Sequence, residues 1–327
     1  MKYFVTGATG FVGGYVVRQL VEAGHEVVAV VRKPAAASDL AQLGVEIHQG
    51  DVTDKESMRA PMRGVDGVFH IAGWYKVGAR DKSGGEKINI YGTKNVLELM
   101  RELEIPKGVY TSTIALNSDT HGKIVDETYN YYGPHLSEYD RTKWIAHYAV
   151  AENMIAAGLP LVIVQPGLIY GPGDNSNVRP TLVQYLQRKL PLVPAKAAQS
   201  WGHVEDMARG HILAMEKGRI GESYIITGSS YTVVEALKIA EKITGIPGPR
   251  VQMPPMGMRA LSRMAGVAEK VVALPPSYSA EYLNEIAQAT YLGSSAKAER
   301  ELGYRSRSLE DGLRQTLDYE MKLLKMK

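Results

Sequence analysis

Short apolar runs alternate with stretches of helical periodicity through the first half of the chain. KYFVT (2–6) and EVVAVV (26–31) open the series. VEIHQGD (45–51), GVFHIA (67–72), KGVYTST (107–113) and PLVIVQP (160–166) continue it. Runs this short and this rich in β-branched residues read as strands buried on both faces. VGGYVVRQLVEAG (12–24) reads instead as a helix that Gly24 ends. A longer helical stretch near 85–103 sets Ile88, Val96, Leu99 and Leu103 at helical spacing. Strands that alternate with helices predict an α/β fold, a doubly wound parallel sheet with helices on both faces.

After residue 166 the pattern loosens. Pro and Gly cluster at 166–173, 247–257 and 275–276, and Met becomes frequent at 253–264. The expectation is a sheet domain over 1–166 and a smaller, mainly helical, substrate-binding part over 167–327. A segment near 201–228 is expected to return to the first domain. The chain has 327 residues, 45% of them hydrophobic, enough for cores of this size. Its net charge of +3 comes without a block of like charge, so no nucleic-acid footprint stands out. The absence of cysteine excludes disulfides, thiolate catalysis and Cys-ligated zinc. MKYFVTGATG enters an apolar strand at once, with no leader pattern, and no apolar run is long enough for a membrane span. A cytoplasmic protein with no membrane insertion is the expectation.

Candidate chemistry begins at TGATGFVG, which sets Gly7, Gly10 and Gly13 between the first strand and the first helix. Glycine allows a tight turn and lets backbone N–H groups approach a pyrophosphate, and a helix N-terminus adds unpaired donors. Dinucleotide binding through Gly7, Gly10, Phe11, Val12 and Gly13 follows, and with it a Rossmann-type sheet. A Tyr and a Lys four residues apart occur twice, in YDRTK (139–143) and in YLQRK (185–189). Spacing alone does not choose between them.

The spacing G-x-x-G-x-x-G, together with GDVTD (50–54), HIAG (70–73), NIYGTKNVLE (89–98), YTST (110–113), YDRTK, PGLIYGPGD (166–174) and HVEDMA (203–208), resembles the extended short-chain dehydrogenase/reductases. Within them the pattern looks most like the dihydroflavonol-reductase-like members. The resemblance implies a hydroxyl at the end of the fifth strand, then a tyrosine and lysine on the helix leading to the sixth. Thr113, Tyr139 and Lys143 meet that order, with Ser112 as the neighbouring choice of register. YLQRK falls after the sixth strand and reads as an ordinary surface helix. A nearby ammonium is expected to lower the phenol's pKa towards the range useful in proton transfer.

The second strand ends in Arg32 and Lys33 rather than an acid, which suits the 2′-phosphate of NADP. The resemblance further implies that Asp51 and Val52 border the adenine. Ala72 and the backbone at Pro166 to Leu168 would hold the ribose and nicotinamide. Two reactions share this machinery: reduction of a released carbonyl substrate, and epimerisation or dehydration of a nucleotide sugar. Trp201 and Gly202 stand where sugar-nucleotide enzymes usually carry an arginine, which favours reduction, although Arg179 could serve as a substitute. MPPMGMRALSRMAG (253–266) reads either as a lipophilic pocket wall or as a helix on the core. A non-catalytic NADP-binding regulator is a third, less favoured reading. HVEDM implies no metal despite its His203, Glu205 and Asp206. The branch is often dimeric, so a homodimer is a candidate assembly.

Overall fold

The computed structural model describes residues 1–176 and 178–326, and the backbone but not the side chain of Gln288. The apolar runs form six strands: β1 (Lys2–Thr6), β2 (Glu26–Val31), β3 (Glu46–Gln49), β4 (Gly67–His70), β5 (Gly108–Thr111) and β6 (Leu161–Pro166). With strand Ser223–Ile226 they make a seven-stranded sheet in the order Ser223–Ile226, β6, β5, β4, β1, β2, β3, and every pairing is parallel. Neighbouring residues point to opposite faces, so each strand feeds two cores. Val5, Ala29, Phe69 and Val164 pack on one face; Phe4, Val28, Val68 and Ile163 pack on the other.

The chain winds outward from β1 in one direction through β2 and β3, then in the other through β4, β5 and β6. The crevice between the ends of β1 and β4 is therefore the point at which strand order reverses, the usual ligand site of such sheets. Thr6 closes β1 there. Its hydroxyl pairs with His70 Nδ1 at 2.8 Å and accepts from the amides of Ile71 and Ala72, both at 3.2 Å. One buried side chain thus fixes the backbone that leaves β4.

Helix starts follow local chemistry. Asp54, Ser137, Thr232 and Ser308 each accept a backbone N–H at the head of a helix. Phe11–Glu22 differs: its cap is Gly10, and no side chain satisfies its first amides. Those donors remain free for a ligand.

In the second half, strand Ala198–His203 pairs with Leu168–Tyr170, Ser230–Thr232 and Thr290–Tyr291. Around it Tyr170, Leu182, Tyr185, Leu237 and Leu313 form a separate apolar core. Helix Val204–Lys217 packs instead against Phe11–Glu22, and Ser223–Ile226 completes the edge of the main sheet.

Candidate active site

A cleft of about 560 Å³ runs along the carboxyl ends of β1, β2, β4, β5 and β6. Its near end is the glycine turn. Gly7 adopts φ +74°, and a Cβ there would stand 2.7 Å from the Ala72 amide nitrogen. A Cβ on Gly13 would strike the Gly7 carbonyl. The turn is therefore wound as closely as glycine permits, with the free amides of the Phe11–Glu22 helix beside it. This cradle fits a pyrophosphate. Gly10, Phe11, Val12, Asp51, Val52, Ala72, Pro166 and Leu168 all line the same cleft.

Arg32 lines the cleft next to this turn. It is exposed, and among the described residues its side chain has no ion pair or hydrogen bond. Lys33 is exposed as well but does not line the cleft. Of the two cations at the end of β2, geometry brings only Arg32 to the site. Asp51 folds back on its own turn, where one carboxylate oxygen accepts from the amide and hydroxyl of Thr53, both at 2.9 Å.

Tyr139 and Lys143 lie one turn apart on the helix Glu138–Trp144, which Ser137 caps. Asn89 locks this helix in place. Its amide donates to Thr142 Oγ1 at 2.9 Å and to Trp74 O at 2.9 Å, and its carbonyl accepts from Trp74 N at 2.7 Å. Thr113 and Tyr139 line the cleft together, and the Thr113 hydroxyl stands near enough to the Tyr139 phenol to favour its ionised form. Strand β5 ends two residues earlier than expected, at Thr111, and Thr113 heads the short turn Ile114–Asn117. Ser112 Oγ is engaged with His147 Nδ1 at 2.8 Å. The register therefore brings Thr113, not Ser112, to the phenol.

The expected effect of lysine on tyrosine is not what this arrangement gives. Lys143 is buried and donates to Thr111 O at 2.7 Å and to the Tyr110 hydroxyl at 3.1 Å. Burial disfavours charged forms, so it drives the ammonium down to about 7 and the Tyr139 phenol up to about 12. The Asp140 and Glu285 carboxylates push the phenol further up, and the nearby Thr113 hydroxyl opposes them. Tyr139 thus keeps its proton through the neutral range.

The other Tyr–Lys pair is not a surface helix. Tyr185 is fully buried in the second core, and its hydroxyl donates to Ile246 O at 2.6 Å. Lys189 lies beyond the end of the helix Val178–Leu186. Neither lines the cleft. Arg179 is also committed elsewhere, with its Nε 2.8 Å from the buried carboxylate of Glu320. Trp201 is buried and donates to Tyr231 O at 3.1 Å. Residues 253–266 are not among those that line this cleft.

Sequence reasoning missed Glu285 and Tyr291, which the second half brings to the cleft. The Tyr291 hydroxyl donates to Asp140 Oδ2 at 3.3 Å and reaches Glu285 as well. Burial raises both acids, Asp140 to about 7. No local motif marks Glu285 or Tyr291, whereas Asp140 lies inside YDRTK (139–143). His203 caps the helix it precedes, and Glu205 and Asp206 pair with Arg307 at 2.7 and 2.8 Å.

The profile of the NAD dependent epimerase/dehydratase family matches residues 3–227. With this sheet, turn and cleft, the chain belongs to that family, within the extended short-chain dehydrogenase/reductases. It is an NAD(P)-dependent enzyme. Among curated proteins it is similar to one from Synechocystis sp. named "Putative dihydroflavonol 4-reductase", 31% identical over 326 residues, covering 95% of this chain and 92% of that one. It is also similar to UDP-glucose 4-epimerase of Streptomyces lividans, 29% identical over 307 residues, covering 84% and 92%. Among solved structures, that of gox2253 superposes with a TM-score of 0.85 at 28% identity, covering 99% of both chains.

Proposed function

We propose that the protein is an NADP-dependent reductase that converts a ketone or aldehyde of a small, fairly apolar substrate to the alcohol. When bound, the reduced nicotinamide supplies hydride to the carbonyl carbon. The free amides at Phe11 and Val12 receive the pyrophosphate, and Arg32 pairs with a 2′-phosphate. Thr113 and Tyr139 hold the carbonyl oxygen between two hydroxyls. Tyr139 then donates its phenolic proton to that oxygen as negative charge develops there. A phenol held near 12 is protonated when substrate arrives, and proton donation becomes easier as far as bound cofactor and Lys143 bring that value down. Lys143, held on Thr111 O and the Tyr110 hydroxyl one helical turn from Tyr139, would add positive charge to this end of the cleft once protonated.

The observation that carries reduction over sugar chemistry is the charge of the substrate side. Asn175, Ser176, Gln199, Glu285 and Tyr291 line it, and none is a cation. Arg179, the remaining candidate for a diphosphate, is held by Glu320. A nucleotide diphosphate would lie beside a carboxyl group with little to neutralise it, at a cost of several kcal/mol in a partly dry cleft. The relatives include both a protein named as a reductase and an epimerase, so reaction class needs its own test. A panel of aromatic and aliphatic ketones and aldehydes should give net loss of reduced nicotinamide absorbance in proportion to product, and UDP-hexoses should bind weakly. Tight binding of a UDP-hexose, with an epimerised product and no net oxidation, would reverse the assignment.

A further inference from the structure

The Met-rich stretch has no role in the cleft, yet its surface is unusual. In helix Pro255–Ala268 the inward face is narrow and partly polar: Met258, Ser262 and Ala265 are buried, and Ser262 Oγ donates to Ala280 O at 2.8 Å. The outward face carries most of the segment's apolar side chains. Met256 is 80% exposed, Met264 67% and Val267 67%, and Val271 just past the helix is 86% exposed. Seven of the sixteen large apolar side chains that stand exposed among the described residues fall within 251–278. Scattered exposed apolar groups are ordinary, but a dense stripe marks an interaction surface.

Cations are interleaved with this stripe. Arg259, Arg263 and Lys270 are exposed, and among the described residues none of their side chains has an ion pair or hydrogen bond. Glu269 is the one acid in 251–278. It turns inward, and its Oε1 accepts from Ala280 N at 3.2 Å. Apolar groups and unpaired cations on one exposed helical stripe match the boundary of an anionic bilayer, where the former enter the acyl region and the latter meet headgroups. A second copy of the chain fits less well. Two-fold pairing of this face would bring three uncompensated cations against their own copies in an apolar contact.

We propose that the face formed by Met256, Arg259, Arg263, Met264, Val267 and Val271 docks the protein onto an anionic phospholipid bilayer. No helix of the described residues is long and apolar enough to cross a membrane, so the helix would lie in the interface plane. The face is fastened to one wall of the cleft. Arg80 Nη2 donates to Val272 O at 3.0 Å, and Gly78 N donates to Glu281 Oε2 at 3.0 Å, in the loop whose Tyr75 and Val77 line the cleft. Docking would bring that wall to the lipid surface. The proposal is independent of the reaction class, since binding is read without turnover.

The test is cosedimentation of the full chain with vesicles of phosphatidylcholine alone and of phosphatidylcholine mixed with phosphatidylglycerol. Binding to the mixed vesicles, absent with phosphatidylcholine alone and released by salt, is the expected result. The double variant Arg259→Glu/Arg263→Glu should lower partition at least ~10-fold, because each cation near the surface contributes separately. Met264→Asp should lower it too, with melting temperature and reductase activity on water-soluble carbonyls unchanged in both variants. Failure of the wild type to sediment with the mixed vesicles would overturn the proposal, as would equal binding to neutral vesicles or unchanged partition in the double variant. A dimer in light scattering that Met264→Asp dissociates would assign the face to a second copy instead.

Discussion

At the residue scale, the two tyrosines of the repeated Tyr–Lys spacing have opposite fates. Tyr139 faces the cleft beside Thr113, and Tyr185 is sealed in the second core on Ile246 O. Tyr139→Phe should leave NADP(H) binding intact and lower kcat by about 10²–10⁴-fold, the usual worth of general acid catalysis. Tyr185→Phe should leave kcat unchanged and reduce stability by about 0.5–1.5 kcal/mol, the net value of one buried hydrogen bond. Steady-state kinetics and urea melts on both variants separate the two roles. Lys143 gives a second prediction. Its folded pKa of about 7 lies below the ordinary 10.5. Between those values the unfolded chain binds more protons than the folded one, so cofactor-free stability should rise with pH across that interval. The penalty of the buried ammonium is fully present below pH 7. In Lys143→Met the rise between pH 7 and 9 should flatten, a change on the order of a few kcal/mol in the urea-derived stability. An unchanged slope would mean that Lys143 is hydrated in solution.

At the element scale, the head of helix Phe11–Glu22 combines an unsatisfied N-terminus with a turn that tolerates no added methyl. Gly13→Ala would drive its Cβ into the Gly7 carbonyl, and the loop would have to shift against Ala72. Overpacking of this kind costs about 1–3 kcal/mol. The amides would also leave their positions for a pyrophosphate. The expected outcome is a dissociation constant for NADPH raised at least ~10-fold, with a lower melting temperature. Binding titration checks the first and calorimetry the second. Helix Glu138–Trp144 depends on Asn89 in a comparable way, since a side chain from another helix helps to fix its place over the cleft.

At the scale of the whole molecule, the cleft is shared between the main sheet and the second half. A cofactor held by β1, β2, β4 and β6 together should stabilise the fold as a unit. At one hundred times its dissociation constant, NADP should add about 2.7 kcal/mol and raise the melting temperature by a few degrees. NAD at the same concentration should add clearly less, because Arg32 has no 2′-phosphate to pair. In Arg32→Asp the difference between the two cofactors should vanish. Equal shifts from both cofactors in the wild type would remove the basis for the NADP assignment.

The sequence by itself determined the parallel sheet and the glycine cradle. Both depend on short-range facts: β-branched runs that must be buried on both faces, and glycines at a turn where no Cβ fits. It also carried the recognition of YDRTK, because the order of elements around that pair survives folding. It misread Tyr185 as exposed, since a single helical turn does not disclose which face a distant core will cover. It could not tell a pocket wall from an outer surface in the Met-rich stretch, where the composition suits either. Only the tertiary structure decided that Arg179 is held by Glu320, 141 residues away in the chain. The same holds for Glu285 and Tyr291, which reach Asp140 from about 150 residues further on. The protonation states of Tyr139 and Lys143 are tertiary as well. They are set less by the four-residue spacing of the pair than by how much water the folded cleft leaves around each group, a quantity that no local stretch of sequence contains.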